Sequence, residues 1–226
     1  SLLGSVATAR YSVVHSVGVS GIFLVTAIGS ALYPWINRKL SSKSYENIIE
    51  VTEPMLSFFT SFSVFLVAIA PLAIRILAPD EYTAALPAFA PLAISIIPYF
   101  SANLNTVYLI HLGLEKDVSK ITVTSGILGV FGSIILIRYL GYLGAGLSGL
   151  LSSASTYIGG LACLSRKGKA QIIHPKSVLS SFAVAMLIAV LISLSESAPY
   201  FIPLLLIPSA VSLINSALKT KKLIFE

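Results

Sequence analysis

The sequence predicts an all-α fold, a multi-pass transmembrane helical bundle of about seven helices. Only 11% of the 226 residues are charged, against about 25% in a soluble domain. The mean hydropathy is +0.91, and apolar runs of about 20 residues, enough to cross a bilayer, recur along the chain. These values exclude an ordinary soluble domain and a disordered chain. A protein whose apolar surface is covered by lipid is therefore expected.

Seven segments are long and apolar enough to span the membrane. They lie at 11–36, 54–77, 84–112, 120–138, 143–165, 177–195 and 199–218. Pro34 and Trp35 bound the first, and the three prolines of the third predict a tilt, a kink or a short interfacial helix. The runs are too long, and too apolar on all sides, for the alternating strands of a membrane β-barrel.

The basic residues predict the topology of these spans. Of the 15 Lys and Arg residues, 12 lie in the loops after the first, third and fifth spans or in the C-terminal tail. The other three are Arg10, Arg75 and Arg138. Because short cytoplasmic loops are enriched in Lys and Arg, we expect these loops and the C-terminus in the cytoplasm. The net charge of +6 is then a mark of topology, and no nucleic-acid partner is expected. The alternative to this role in topology is that residues 166–169 specifically bind anionic lipid headgroups.

The sequence contains no motif that predicts catalysis. It contains no phosphate-binding glycine loop, no dinucleotide fingerprint and no HExxH motif. Its three histidines are far apart, and the single Cys163 lies in an apolar stretch, so neither a disulfide nor a metal site is expected. We therefore expect no enzyme, no catalytic residue, no metal and no cofactor.

Three stretches resemble a known family of exporters. The first begins at Arg10–Tyr11 and ends at residues 31–34, with Val14 where alanine is usual. The second, 76–120, has a turn followed by an acidic–Tyr pair and a Gly-x-x-Lys exit, formed here by Pro79, Glu81, Tyr82, Gly113, Glu115 and Lys116. The third, 121–160, carries Gly141, Gly144 and Ala145 between two apolar helices. This ordered set, which reaches about residue 165, resembles the Wzx-like (O-antigen type) polysaccharide flippases of the MOP exporter superfamily.

The resemblance implies a function and a partner lobe. Such proteins have two lobes and carry a lipid-linked oligosaccharide across the cell membrane by alternating access. Residues 1–226 would form the C-terminal transmembrane lobe, one lobe of a MATE-like transporter, and the N-terminal half would be its partner. An outer start and a cytoplasmic end fit the second half of a fourteen-helix member. The lipid bilayer and a lipid-linked glycan are the other expected partners, and the plasma membrane is the expected location.

Four polar residues are candidates for contacts with a glycan in the cavity. Arg10 could bind a diphosphate or a uronic acid, or its guanidinium could reach the headgroups at the outer interface. His15 shares a helix face with Tyr11 and could simply pack there. Asn103 and Asn105 lie inside the third span, where they could line a sugar-binding cavity or hydrogen-bond a neighbouring helix.

Five further residues are candidates for gating or coupling. Arg75, Asp80, Glu81 and Tyr82 form either an outer gate or a turn capped by an ion pair, which Arg138 and Tyr139 could join. Thr52, Glu53 and Pro54 predict the first turn of a helix that begins at residue 54. Alternatively, Glu53 is an ion-coupling carboxylate. The many glycines of 126–149 predict close helix packing or a hinge.

Other functional classes compete with the flippase prediction. A multidrug or organic-cation exporter of the same superfamily needs carboxylates inside its spans, and Glu53 is the one carboxylate near a span's interior. A polytopic enzyme of glycan assembly needs a sizeable outer loop, and the predicted outer loops contain only a few residues. A structural membrane subunit is the third alternative.

Overall fold

The computed structural model describes residues 4–194, 212, 214–216 and 218. About 90% of the structure is helical, and the described part contains no strand, which confirms the all-α class. The elements are α1 (Ser5–Gly18), α2 (Ser20–Ser41), α3 (Tyr45–Leu77), the 3₁₀ helix Asp80–Ala88, α4 (Phe89–Ile94), α5 (Ile96–His111), α6 (Glu115–Arg166) and α7 (Pro175–Leu194). Five helical segments of the described chain are long and apolar enough to cross a membrane.

The first span is broken once and is longer than predicted. Helices α1 and α2 meet at Val19, and together they cover Ser5–Ser41 instead of 11–36. The helix does not end at Pro34 and Trp35, the predicted boundary of the span, since α2 continues to Ser41. Ile36 and Leu40 are 0% and 3% exposed, so core packing extends the helix past the hydrogen bond that Pro34 removes.

Helix α3 begins two turns before the predicted start at residue 54. Its 33 residues, Tyr45–Leu77, give a length of about 50 Å at 1.5 Å per residue. Ile48 and Val51 are 0% and 1% exposed, so the additional turns are held by burial of their apolar face. Glu53 therefore lies in the helix interior, and the prediction that it marks a helix start is wrong.

The third span is divided, as its prolines predict, and forms the centre of the bundle. A 3₁₀ helix (Asp80–Ala88) leads into the short α4 and then into α5. Nearly every residue from Ala88 to Ala102 is buried. Phe100 of α5 packs on Phe59 of α3 with 4.7 Å between ring centroids. Helices α3, α4 and α5 thus supply the core on which the other helices pack.

Helix α6 is a hairpin of two antiparallel helices. As a straight helix its 52 residues would extend about 78 Å, far beyond a bilayer of about 30 Å. At Gly141 the backbone leaves the helical region (φ 57°, ψ −127°), which only glycine adopts easily. A Cβ on Gly129 would lie 3.1 Å from Cβ of Ser152, and one on Gly159 would lie 2.8 Å from Cγ2 of Ile121. The predicted spans 120–138 and 143–165 are the two arms of this hairpin.

The structure describes nearly all of the sixth predicted span but only a few residues of the seventh. Helix α7 covers Pro175–Leu194, close to the predicted 177–195. The predicted span 199–218 lies mostly outside the described residues, of which Ser212 and residues 214–216 and 218 are helical. The hydroxyls of Ser61 and Ser212 are 2.7 Å apart, so Ser212 lies against α3.

The loops predicted to share one side of the membrane meet at one end of the bundle, which we call the basic end. Asp117, at the start of α6, forms an ion pair of 3.0 Å with Lys167 after its end. Thr52 Oγ1 donates a hydrogen bond of 2.9 Å to the carbonyl of Ile172. The rings of Tyr45 and Tyr108 pack with centroids 6.1 Å apart. The loops after the first, third and fifth predicted spans are therefore neighbours.

Candidate functional site

The clearest polar contact away from the basic end joins a predicted cavity residue to a predicted gate residue. Arg10 of α1 donates a hydrogen bond of 2.8 Å from Nη2 to Oε2 of Glu81, in the first turn of the 3₁₀ helix. Tyr142, directly after the hairpin turn, also interacts with Arg10. The side chains of Arg10 and Glu81 are 29% and 72% exposed. The pair therefore joins α1 to the 3₁₀ helix at the end of the bundle opposite the basic end and stays accessible to solvent.

The remaining gate candidates do not form the expected ion-pair network. Arg75 and Asp80 are exposed, and within the described chain neither forms a salt bridge. Tyr82 is half-buried against the core, and Tyr139 is 79% exposed. In the described chain one ion pair therefore holds this turn, and its cation comes from a residue 71 positions away in the sequence.

We expect loss of the Glu81 carboxylate to loosen the 3₁₀ helix. In Glu81→Ala the ion pair to α1 is absent, so amide hydrogen exchange across 80–88 should become faster. High salt should do the same to the unmodified chain, because exposed ion pairs are screened. Asp80→Ala, which removes a neighbouring exposed carboxylate without an ion pair, is the matched control. Equal acceleration in both variants would contradict a role for the pair.

His15 lies five residues beyond Arg10 on α1. Its ring contacts Tyr11 with centroids 5.4 Å apart and planes inclined at 49°, which confirms that the two residues share a helix face. Both side chains are half-buried. The contact places the imidazole of His15 beside the ring of Tyr11, the residue that follows Arg10 in the sequence.

The two asparagines of α5 have different surroundings. Asn103 is half-buried, and its Nδ2 donates a hydrogen bond of 2.8 Å to the carbonyl of Tyr99 on its own helix. Asn105 is only 3% exposed and lies against Gly160 of the hairpin, where a glycine Cβ would be 3.0 Å from its own Cβ. Asn105 Nδ2 has no hydrogen-bond partner in the described part of the chain. Asn105 therefore faces a neighbouring helix.

Glu53 borders a cavity that the sequence analysis did not locate. The cavity measures about 280 Å³ and is lined by Glu53, Pro54, Ser57, Asn215 and Ser216. Glu53 Oε1 accepts a hydrogen bond of 3.1 Å from the backbone N–H of His174. Glu53, Ser57 and Ser61 recur every four residues, so they form a polar track on the side of α3 that faces Ser212, Asn215 and Ser216. This four-residue spacing was the signal that could have revealed the track.

The exposed surfaces of the bundle differ in chemistry, and the sequence analysis missed this difference. The exposed residues of α1 and α2 include hydroxyl side chains along their whole length, Thr8, Ser12, Ser16, Thr26 and Ser30. We call this surface, which also exposes Val6 and Phe23, the hydroxyl face. Each hydroxyl donates to a carbonyl of its own helix, at 2.7–2.9 Å, which leaves its oxygen free to accept.

The hairpin exposes a different surface. Between residues 126 and 135, its exposed side chains are the aliphatic or aromatic Ile127, Leu128, Val130, Phe131, Ile134 and Ile135. We call this surface the aliphatic face. Large apolar side chains suit contact with lipid tails, whereas recurrent hydroxyls are tolerated there only because their protons are satisfied within the helix. Residues 126–135 of the hairpin thus expose apolar side chains, and the exposed threonines of this arm, Thr122 and Thr124, lie nearer the basic end.

The described residues contain no group of three or more His, Cys, Asp or Glu side chains placed to hold a metal ion. Comparison of the chain with models of known protein families, with curated proteins and with solved structures finds no match.

Proposed function

We propose that this chain is the C-terminal lobe of a membrane transporter that flips a lipid-linked oligosaccharide across the plasma membrane. The contrast between the hydroxyl face and the aliphatic face carries the proposal. In a protein wholly surrounded by lipid, all outer surfaces meet the same hydrocarbon. A lobe that borders a polar path on one side and lipid on the other needs the two unlike surfaces that this chain has.

The physical task of such a transporter agrees with the chemistry of the hydroxyl face. A glycan headgroup must cross about 30 Å of hydrocarbon while its lipid tail stays in the bilayer. Hydroxyl oxygens that accept hydrogen bonds offer weak and repeated contacts to sugar hydroxyls, which lets the glycan move along the path. His15, three residues after Ser12 on α1, lies beside this face. Arg10 points away from the face to Glu81 and offers a cation at the end of the same helix.

Other parts of the proposal concern orientation and coupling. In the proposed arrangement the basic end and the C-terminus lie in the cytoplasm, and the Arg10–Glu81 pair acts as an outer gate. Glu53, beside its cavity, is the candidate for ion coupling. An N-terminal half, as in the resembling family, would supply the opposite wall of the path. The connections between the described helices are short, the longest being residues 167–174, which disfavours a membrane enzyme with a loop-borne site.

A gene deletion tests the proposed function. Cells that lack the gene should lose surface polysaccharide and accumulate its lipid-linked precursor in the inner leaflet, as measured by glycan staining and lipid extraction. Thr26→Leu on the hydroxyl face should restore export poorly. Thr124→Leu on the hairpin should restore it fully. Both threonines are exposed, and each donates to the carbonyl four residues earlier, at 2.9 and 2.8 Å, so the two variants are matched.

Two outcomes would contradict the proposal. Normal surface glycan together with hypersensitivity to lipophilic cations would favour the multidrug exporter. Equal export by the two threonine variants, both present at normal levels in the membrane, would remove the hydroxyl face from the path.

A further inference from the structure

The basic end carries a cluster of cations that the hairpin brings together. The ion pair of 3.0 Å between Asp117 and Lys167 fixes the two ends of the hairpin side by side. Four other exposed cations lie within three residues of that pair in the sequence, Lys116, Lys120, Arg166 and Lys169. We call these four residues the cationic rim. Segments 115–120 and 166–169 hold five cations and two carboxylates, so the surface here has a local charge of +3.

The cationic rim continues into an apolar stripe on the same helix face. From Lys116 and Lys120 the face runs on to Val123, Ile127 and Val130, at the three- and four-residue spacing that keeps side chains on one side of a helix. The three aliphatic side chains are 60%, 50% and 60% exposed. One helix face therefore presents cations at the basic end and exposed hydrocarbon directly below them.

We propose that the cationic rim and this stripe bind an acidic phospholipid. The phosphate would lie between the cations of the two hairpin ends, and an acyl chain would run along Val123, Ile127 and Val130. Basic clusters at the end of a membrane helix attract anionic headgroups, with about 1 kcal/mol, or about fivefold in affinity, for each cation near the surface. A free phosphate ion would use the rim alone, so the stripe beneath it selects an anionic amphiphile. The proposal does not depend on which substrate the protein transports.

Native mass spectrometry of the chain in a neutral detergent tests this site. Phosphatidylglycerol and phosphatidylcholine with identical acyl chains are added in equal amounts, and the bound fractions are compared. We expect phosphatidylglycerol to bind preferentially. The variant R166Q/K169Q should weaken its binding by about fivefold for each charge removed. The variant R75Q/R138Q also removes two exposed cations, but outside the rim, and should bind phosphatidylglycerol like the unmodified chain.

A gain-of-binding variant keeps the test decisive if the loss variant folds poorly. Asp117→Asn removes one carboxylate and frees Lys167, so it should strengthen phosphatidylglycerol binding by about fivefold or more. Equal binding of the two lipids, or equal loss in both double-glutamine variants, would overturn the proposal. It would also fail if glycerophosphoglycerol, the headgroup without acyl chains, bound as tightly as the intact lipid, because the rim would then be a site for free anions.

Discussion

Replacing Gly146 with valine should lower the free energy of unfolding by about 3 kcal/mol or more. A Cβ at this position would collide with the backbone carbonyl of Ala88, where the 3₁₀ helix meets α4. Ala88 is fully buried, and a backbone oxygen cannot rotate away as the end of a side chain can. The second arm of the hairpin must therefore separate from the core of the bundle. Thermal unfolding of the purified chain in detergent measures the effect.

Gly126→Val is the matched control for this substitution. Gly126 is an exposed glycine of the same helix, and a Cβ there has no atom within 4 Å. Valine at this position should leave the melting temperature unchanged or raise it slightly, because glycine is a poor helix former. If both variants lowered the melting temperature by the same amount, the loss at Gly146 would be a general effect of valine in this hairpin, and the close contact with Ala88 would have no energetic weight.

The sequence analysis predicted the helices well where hydropathy is uniform and poorly where packing sets the boundary. Apolar runs long enough to span a bilayer locate the hairpin arms and α7 within a few residues. The start of α3 was misplaced because Tyr45, Glu46 and Asn47 are polar, while the buried faces of Ile48 and Val51 extend the helix beyond its apolar run. Hydropathy reports composition, and a helix boundary also depends on which neighbours its first turns contact.

The sequence analysis named the residues that form the polar contact, but it did not predict which of them pair. Glu81 and Arg10 were both candidates, yet proximity along the chain suggested Arg75 as the cation of the turn. The actual partner is decided by how α1 packs against the 3₁₀ helix, which no local pattern encodes. The hydroxyl face was also missed, since each serine and threonine is unremarkable alone. Its meaning comes from comparison with the aliphatic face of the hairpin.

The glycines explain how a bundle with so few charges achieves a unique arrangement. Where lipid covers the outside, apolar burial alone does not decide which helix faces pair, because lipid tails are as apolar as leucine. At Gly146 only a missing side chain allows the observed contact with the backbone of Ala88, and at Gly160 a Cβ would lie a tight 3.0 Å from Cβ of Asn105. The prediction of close helix packing by the glycines of 126–149 is therefore supported at Gly146, while Gly141 supplies the turn.

Asn105→Leu should stabilise the protein, by about 1–3 kcal/mol. The amide nitrogen of Asn105 is buried at the contact with Gly160 and has no hydrogen-bond partner in the described chain, so the native fold bears its desolvation cost. Leucine keeps the branch at Cγ and removes the polar atoms. Asn105→Val, which is smaller than leucine but branches at Cβ, provides a second variant of different shape that should shift the melting temperature in the same direction.

Asn103→Leu is the comparison that tests whether Asn105→Leu stabilises the protein because the amide of Asn105 is unpaired. Asn103 lies two residues away on the same helix, but its amide is satisfied by the carbonyl of Tyr99 at 2.8 Å. Its replacement removes a hydrogen bond worth about 0.5–1.5 kcal/mol and should not raise the melting temperature. If the amide of Asn105 is unpaired, the same Asn→Leu change should therefore raise the melting temperature at position 105 and lower it at position 103. If Asn105→Leu and Asn105→Val both lowered the melting temperature, the buried amide would have to be bound in the native protein, and its place against Gly160 would mark a polar contact that stabilises the fold.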